Sequence, residues 1–108
     1  MSQAKYLTRA IERFGVTVHI IRNEKVQSTK AFIQPLRRRH HLYINDRYLP
    51  DGCFDSRYLL YIGLPSQMLD TSMCVQCDGV MYKVVTTEKF VTHDEAVYVW
   101  AVLLPVNN

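Results

Sequence analysis

The feature that most constrains this chain is a single change of hydrophobic period at Gly15. Before it, Leu7, Ala10, Ile11 and Phe14 recur at helical spacing, with Lys5, Arg9, Glu12 and Arg13 on the opposite face. Ser2 is placed to cap that helix over residues 2–14, and Gly15 to end it in the left-handed conformation. After it, Val16, Val18 and Ile20 alternate with Thr17, His19 and Ile21, the period of a strand, and no second helix follows. A helix followed only by strands excludes a parallel βαβ design, whose crossovers each need a helix.

The strands are punctuated by turn residues. Residues 23–28 form the first turn and Lys30 to Leu36 the next strand, with Pro35 confining it to an edge or an end. Leu42-Tyr43-Ile44 and Arg47-Tyr48-Leu49 flank an Asn45-Asp46 turn, and Pro50-Asp51-Gly52 is a further turn. Arg57 to Ile62 reads as a strand closed by Gly63-Leu64-Pro65, and 66–72 as a connector. Met73 to Cys77 and Val80 to Thr87 make a hairpin about Asp78-Gly79, a pair that accepts the positive φ of a type I′ turn. The last strand, Val97 to Leu104, is apolar on both faces, so it is either central to the core or half-committed to a partner. The expected architecture is mainly β: a small antiparallel barrel or sandwich of six or seven strands with one N-terminal helix. It forms a single domain over 1–108, with the barrel over 16–106.

Composition supports a self-sufficient core. With 108 residues, 48% of them apolar, the chain can bury about 60–70% of its unfolded surface without staples. No apolar run reaches the roughly 18 residues of a membrane span, so no membrane partner is expected. The first residues carry charges inside a helical pattern, unlike a signal peptide, which points to the cytoplasm. Cys53, Cys74 and Cys77 are an odd number and read as reduced thiols.

Chemistry-bearing constellations are sparse. Cys74-Val75-Gln76-Cys77 has the gap of a zinc knuckle, but a tetrahedral site needs four ligands and no second pair exists. Residues three apart on a strand also face opposite ways, so the pair reads as ordinary strand thiols and no cofactor is expected. Gly15, Gly52, Gly63 and Gly79 are isolated turn residues, not a phosphate loop. Ser56 and Cys53 lack a nucleophile-elbow context, and Asp51, Asp55, Asp70 and Asp78 fall where turns favour Asp. No enzyme is expected.

The densest charge is Arg37-Arg38-Arg39-His40-His41. Planar arginines suit ion pairs with an adjacent subunit. Beside Tyr43, Arg47 and Tyr48 they would also serve, as the second reading, to grip and stack single-stranded nucleic acid. The bland alternative is a solvated loop. The net charge of +3 does not choose between them. Seven tyrosines in so short a chain suit protein contact surfaces as well as strands. Arg37, Arg38, Arg39, His40, Tyr43, Tyr98 and Trp100 are therefore the candidate subunit-interface residues.

Four segments carry a family resemblance: Ala10-Ile11-Glu12-Arg13-Phe14-Gly15-Val16-Thr17-Val18, Ala31-Phe32-Ile33-Gln34-Pro35-Leu36, Arg57-Tyr58-Leu59-Leu60-Tyr61-Ile62-Gly63-Leu64-Pro65 and Tyr98-Val99-Trp100-Ala101-Val102-Leu103. In order along the chain they resemble short neck and head–tail connector proteins, of the stopper or tail-completion kind, from contractile-tailed phages, defective prophages and tailocins. The resemblance implies a small barrel with a flanking helix, assembled as a ring of six or twelve copies. It implies neighbouring neck, tail-tube or sheath proteins as partners, with DNA passing through the channel where the particle carries it. The place would be the host cytoplasm during assembly and the finished particle afterwards. The Arg37–His41 cluster and the Cys74/Cys77 pair depart from that family's pattern and inherit no role from it.

The arginine cluster generates a test. Replacing Arg37, Arg38 and Arg39 together with Ala is expected to leave the monomer folded, because a charged loop adds little to the core. Assembly is expected to fail or to become more salt-sensitive, since truncating one partner of a desolvated pair costs about 2–5 kcal/mol. Thermal melting and sedimentation read the two effects separately. Unchanged assembly would assign the cluster to solvent or to the channel, and a melted monomer would assign it to a buried network.

Overall fold

The computed structural model describes residues 3–35, 43–44, 47–48 and 57–106. One helix, α1 (Gln3–Phe14), precedes β1 (Val16–Arg22), β2 (Lys25–Pro35), β3 (Tyr43–Ile44), β4 (Arg47–Tyr48), β5 (Leu59–Gly63), β6 (Cys74–Cys77), β7 (Val80–Thr92) and β8 (Glu95–Pro105). Six strands close into an antiparallel barrel in the order β1-β2-β5-β8-β7-β6, and β3 pairs with β4 as a separate two-stranded sheet. This is the expected mainly-β barrel with one N-terminal helix. The expected hairpin about residues 45–46 is present in the pairing of Tyr43 with Tyr48 and of Ile44 with Arg47.

Three elements are longer than their sequence signals. Asn23 and Glu24 (φ 47° and 70°) form a two-residue turn, so β2 starts at Lys25 and not at Lys30. His93 and Asp94 (φ 52° and 61°) form another, so β7 runs on to Thr92 and the last strand starts at Glu95 and not at Val97. Both have the positive φ pair that matches the twist of a tight hairpin, but Glu and His are not residues from which such a turn is read. Asp78-Gly79, which does carry the signal, takes that conformation at φ 53° and 79°. At β5, Gly63 lies inside the strand, while Arg57 and Tyr58 precede it.

The helix corrects two expectations. Its buried residues are Ala4 and Ile11, with Leu7 and Ala10 half-buried, whereas Phe14 is 70% exposed. The chain must turn at Gly15 into β1, which carries Phe14 outward. Nor is Gly15 left-handed, since among the described residues only Gly79 is a glycine with positive φ. It is needed for close approach: a Cβ there would sit 2.5 Å from the Ile11 carbonyl oxygen and 2.9 Å from that of Ala31. The Gly15 amide donates to the Ile11 carbonyl at 2.8 Å, and α1 packs on β8 and β2. Ser2, the expected cap, lies outside the described residues.

Alternate residues of every barrel strand face inward. Val18 and Ile20, Ala31, Tyr61, Val75, Val84, and Val99, Ala101 and Leu103 form one buried cluster. Leu69 and Met73, from the connector between β5 and β6, complete it. Its largest member is Tyr61, fully buried, whose hydroxyl has no hydrogen-bond partner among the described residues. The ring lies over Gly63, where a Cβ would come within 2.6 Å of the Tyr61 ring. Glycine is thus the residue that admits the tyrosine.

That packing yields a prediction. Burial pushes the Tyr61 pKa from 10.0 up to about 12, so the folded state holds its proton where the unfolded state releases it. Stability is complete below pH 10 and falls as pH rises toward 12. Tyr61→Phe is expected to melt at or above the wild-type temperature at neutral pH, because an unsatisfied buried hydroxyl costs about 1–3 kcal/mol. It should also lose this part of the alkaline decline. Gly63→Ala should destabilise by about 1–3 kcal/mol through overpacking. Thermal melts at pH 7, 10 and 11 check all of these together.

Candidate functional site

The outer face of the barrel is built by the strand register. Phe32 of β2 stands opposite Ile62 of β5, and Ile62 opposite Trp100 of β8. Leu60 pairs with Val102 in the next outward-facing row. Phe90 of β7 pairs with Tyr98 of β8, their rings stacked at 4.9 Å with 11° between planes. The Thr87 hydroxyl donates to the Trp100 carbonyl at 2.8 Å, fixing β7 against β8.

This resolves the last strand's two apolar faces. Its inner residues, Val99, Ala101 and Leu103, belong to the core, and its outer face divides. Val102 is fully buried and Leu60 nearly so, packed by Tyr58, Ile62, Val85 and Trp100. Tyr98 and Trp100 remain half-buried beside them. Both candidate aromatics therefore occupy one outer surface. Arg37, Arg38, Arg39 and His40 lie outside the described residues, and of Tyr43 only the backbone is described, in β3.

The apolar surface continues where the sequence did not signal it. Phe14, Val16, Phe32 and Ile62 line a groove beside the end of α1. On the helix, the Arg13 guanidinium lies 5.4 Å above the Phe14 ring, and Tyr6 is 72% exposed. From Phe14 through Phe32, Ile62 and Trp100 to Tyr98 and Phe90, apolar and aromatic side chains thus follow one another across β2, β5, β8 and β7. Helical spacing alone puts Phe14 with Ile11, so only the turn at Gly15 shows that it faces out. Aromatic area with cationic neighbours is the chemistry of a protein contact surface.

The remaining polar features are local. Asp70 accepts from the Ser72 hydroxyl and from the Ser72 amide at 2.8 Å, and these bonds, with Arg22 nearby, hold its carboxyl below the usual range. They order the connector that delivers Leu69 and Met73 to the core. Val75 between the two cysteines is an inward residue, Cys77 packs on the interior cluster, and Cys74 falls on the opposite face. Burial, then the charge of Asp78, pushes the Cys77 thiol up. Among the described residues no three His, Cys, Asp or Glu side chains are grouped to hold a metal. No helix of the described residues is long and apolar enough to cross a membrane.

No family model, curated protein or solved structure matches the chain.

The stacked pair gives a direct measurement. A double-mutant cycle of Phe90→Ala and Tyr98→Ala is expected to return a coupling of about 0.5–1.5 kcal/mol beyond the area each ring buries. Additive losses would mean that the rings are neighbours without mutual stabilisation.

Proposed function

We propose that this chain is a structural subunit of a tailed-phage or tailocin particle, assembling as a ring at the neck or collar in a connector or tail-completion role. The observation that carries the reading is the closed six-stranded barrel with one N-terminal helix, the architecture implied by the resemblance of its four segments to connector proteins. The outer surface gives it a second support. Tyr98 and Trp100 stand together with Phe90, Phe32 and Phe14 on a face suited to neighbouring protein. In this reading the protein's partners are further copies of itself and the adjoining neck, tube or sheath proteins. It gathers in the host cytoplasm and ends in the particle.

The test is the composition of the particle. Mass spectrometry of purified particles should find this chain in the several copies of a ring, and particles made without it should stall with tails or heads unjoined. Its absence from purified particles would overturn the reading.

A further inference from the structure

Two hairpins extend past the sheet that supports them. β1 and β2 stay paired as far as Arg22 and Lys25, but β2 meets β5 only from Ala31 onward and β1 meets β6 only over His19–Ile21. From Lys25 to Lys30, β2 therefore has, among the described residues, a strand on one side alone. At the other hairpin, β8 meets β5 only from Val99 onward, and β7 meets β6 only as far as Lys83. β7 and β8 continue together to the turn at His93-Asp94. From Thr87 to Thr92 no strand among the described residues pairs with the other edge of β7. Around the closed barrel, β5 separates the two hairpins on one side and β6 on the other. They stand on opposite sides of the molecule.

Their charges are opposite too. The β1–β2 arm carries Arg22, Lys25 and Lys30 against Glu24, whereas the β7–β8 arm carries Glu88, Asp94 and Glu95 against Lys89. Each arm also leaves apolar area in solvent: Val26 is 62% exposed on the first, and Phe90 and Val91 are 41% and 52% exposed on the second. Unpaired edges with exposed apolar residues are templates for strand addition, which natural folds otherwise block. Complementary charge selects the partner and sets its orientation.

We propose that copies of this chain join head to tail, the acidic β7 edge at Thr87–Thr92 of one copy adding to the basic β2 edge at Lys25–Lys30 of the next. Resting on the ring-forming reading above, this locates the contact between ring neighbours. One arm meets the other, so the interface is heterologous. Such interfaces close into rings when the rotation between copies allows it. A closed barrel otherwise offers no edge for sheet pairing, and the two arms restore one on each side.

The experiment is sedimentation of the full chain at high concentration in about 50 mM salt, where surface charges are weakly screened. The wild type should form species larger than a dimer that fall apart in about 500 mM salt. Glu88→Lys with Glu95→Lys gives a chain with two basic arms, and Lys25→Glu with Lys30→Glu gives one with two acidic arms. Each variant alone should sediment as a monomer, and their equimolar mixture should regain the large species. Recovery on mixing requires both variants to be folded. If either loses the barrel's circular-dichroism signal, the single changes Glu95→Lys and Lys25→Glu replace the pairs. Each brings its arm to zero net charge, so each alone should lower the mass of the wild-type species, and unchanged assembly of either would overturn the proposal. A wild type that stays monomeric, or variants that assemble unaided, would overturn the proposal. Unchanged assembly after reversal of Lys25 and Lys30 would equally overturn it, since those lysines would then only blunt an edge. None of these results bears on whether purified particles contain the chain, so the two readings fail separately.

Discussion

Three residue pairs between β1 and β6, His19 with Gln76, Ile20 with Val75 and Ile21 with Cys74, turn a curved sheet into a barrel. This is the shortest ladder of the closed sheet, and closure depends on it. Without it β1 and β6 would each present an open edge, and Val18, Ile20 and Val75 would lose the neighbours that keep water from them. Antiparallel strands joined mostly by tight turns can curl this way because each inward face is small and apolar. The bulkiest fully buried side chain among the described residues, Tyr61, fits only because Gly63 leaves room beneath its ring.

The brevity of β5 and β6 has a second effect. They support only parts of the longer strands beside them, so the excess length of β1–β2 and of β7–β8 becomes two-stranded arms. Register shifts in the β7–β8 ladder, between Val84 and Thr86 and between Phe90 and Val91, are irregularities of the kind that bend and twist a ribbon. The Phe90–Tyr98 stack and the Thr87 bond to the Trp100 carbonyl stiffen that arm without adding a third strand. The same economy that closes the barrel thus leaves it with edges. Around the outside, the row from Phe32 through Ile62 to Trp100 links one arm's side of the barrel to the other's.

Much of this was legible in the sequence, and what was missed has identifiable causes. The switch of period at Gly15, the Asp78-Gly79 turn and the alternation of Val16 to Ile20 gave the helix, the hairpin and the fold class. The turn at residues 23–28 was read too long and His93-Asp94 was not read as a turn, because neither pair is the Asn-Gly or Asp-Gly that marks a two-residue hairpin turn. The arms were invisible for the same reason, since reading strands as short hides their overhang. Of the candidate interface, Tyr98 and Trp100 could be read from the doubly apolar last strand. Phe14 and Tyr6 could not, because helical spacing does not reveal which way the chain turns when the helix ends.

The sequence by itself determined the local chemistry: which segment is helical, which alternate, and where glycine or Asp-Gly punctuates. Only the tertiary structure decided that the sheet closes through β6, and that Gly15 and Gly63 are needed for contact and not for φ. It alone decided that two oppositely charged hairpins stand on opposite sides of one barrel. Periodicity reports which face of a segment avoids water. It carries no information about which distant strand supplies the covering surface, because that choice belongs to register and closure, set by many weak contacts acting together.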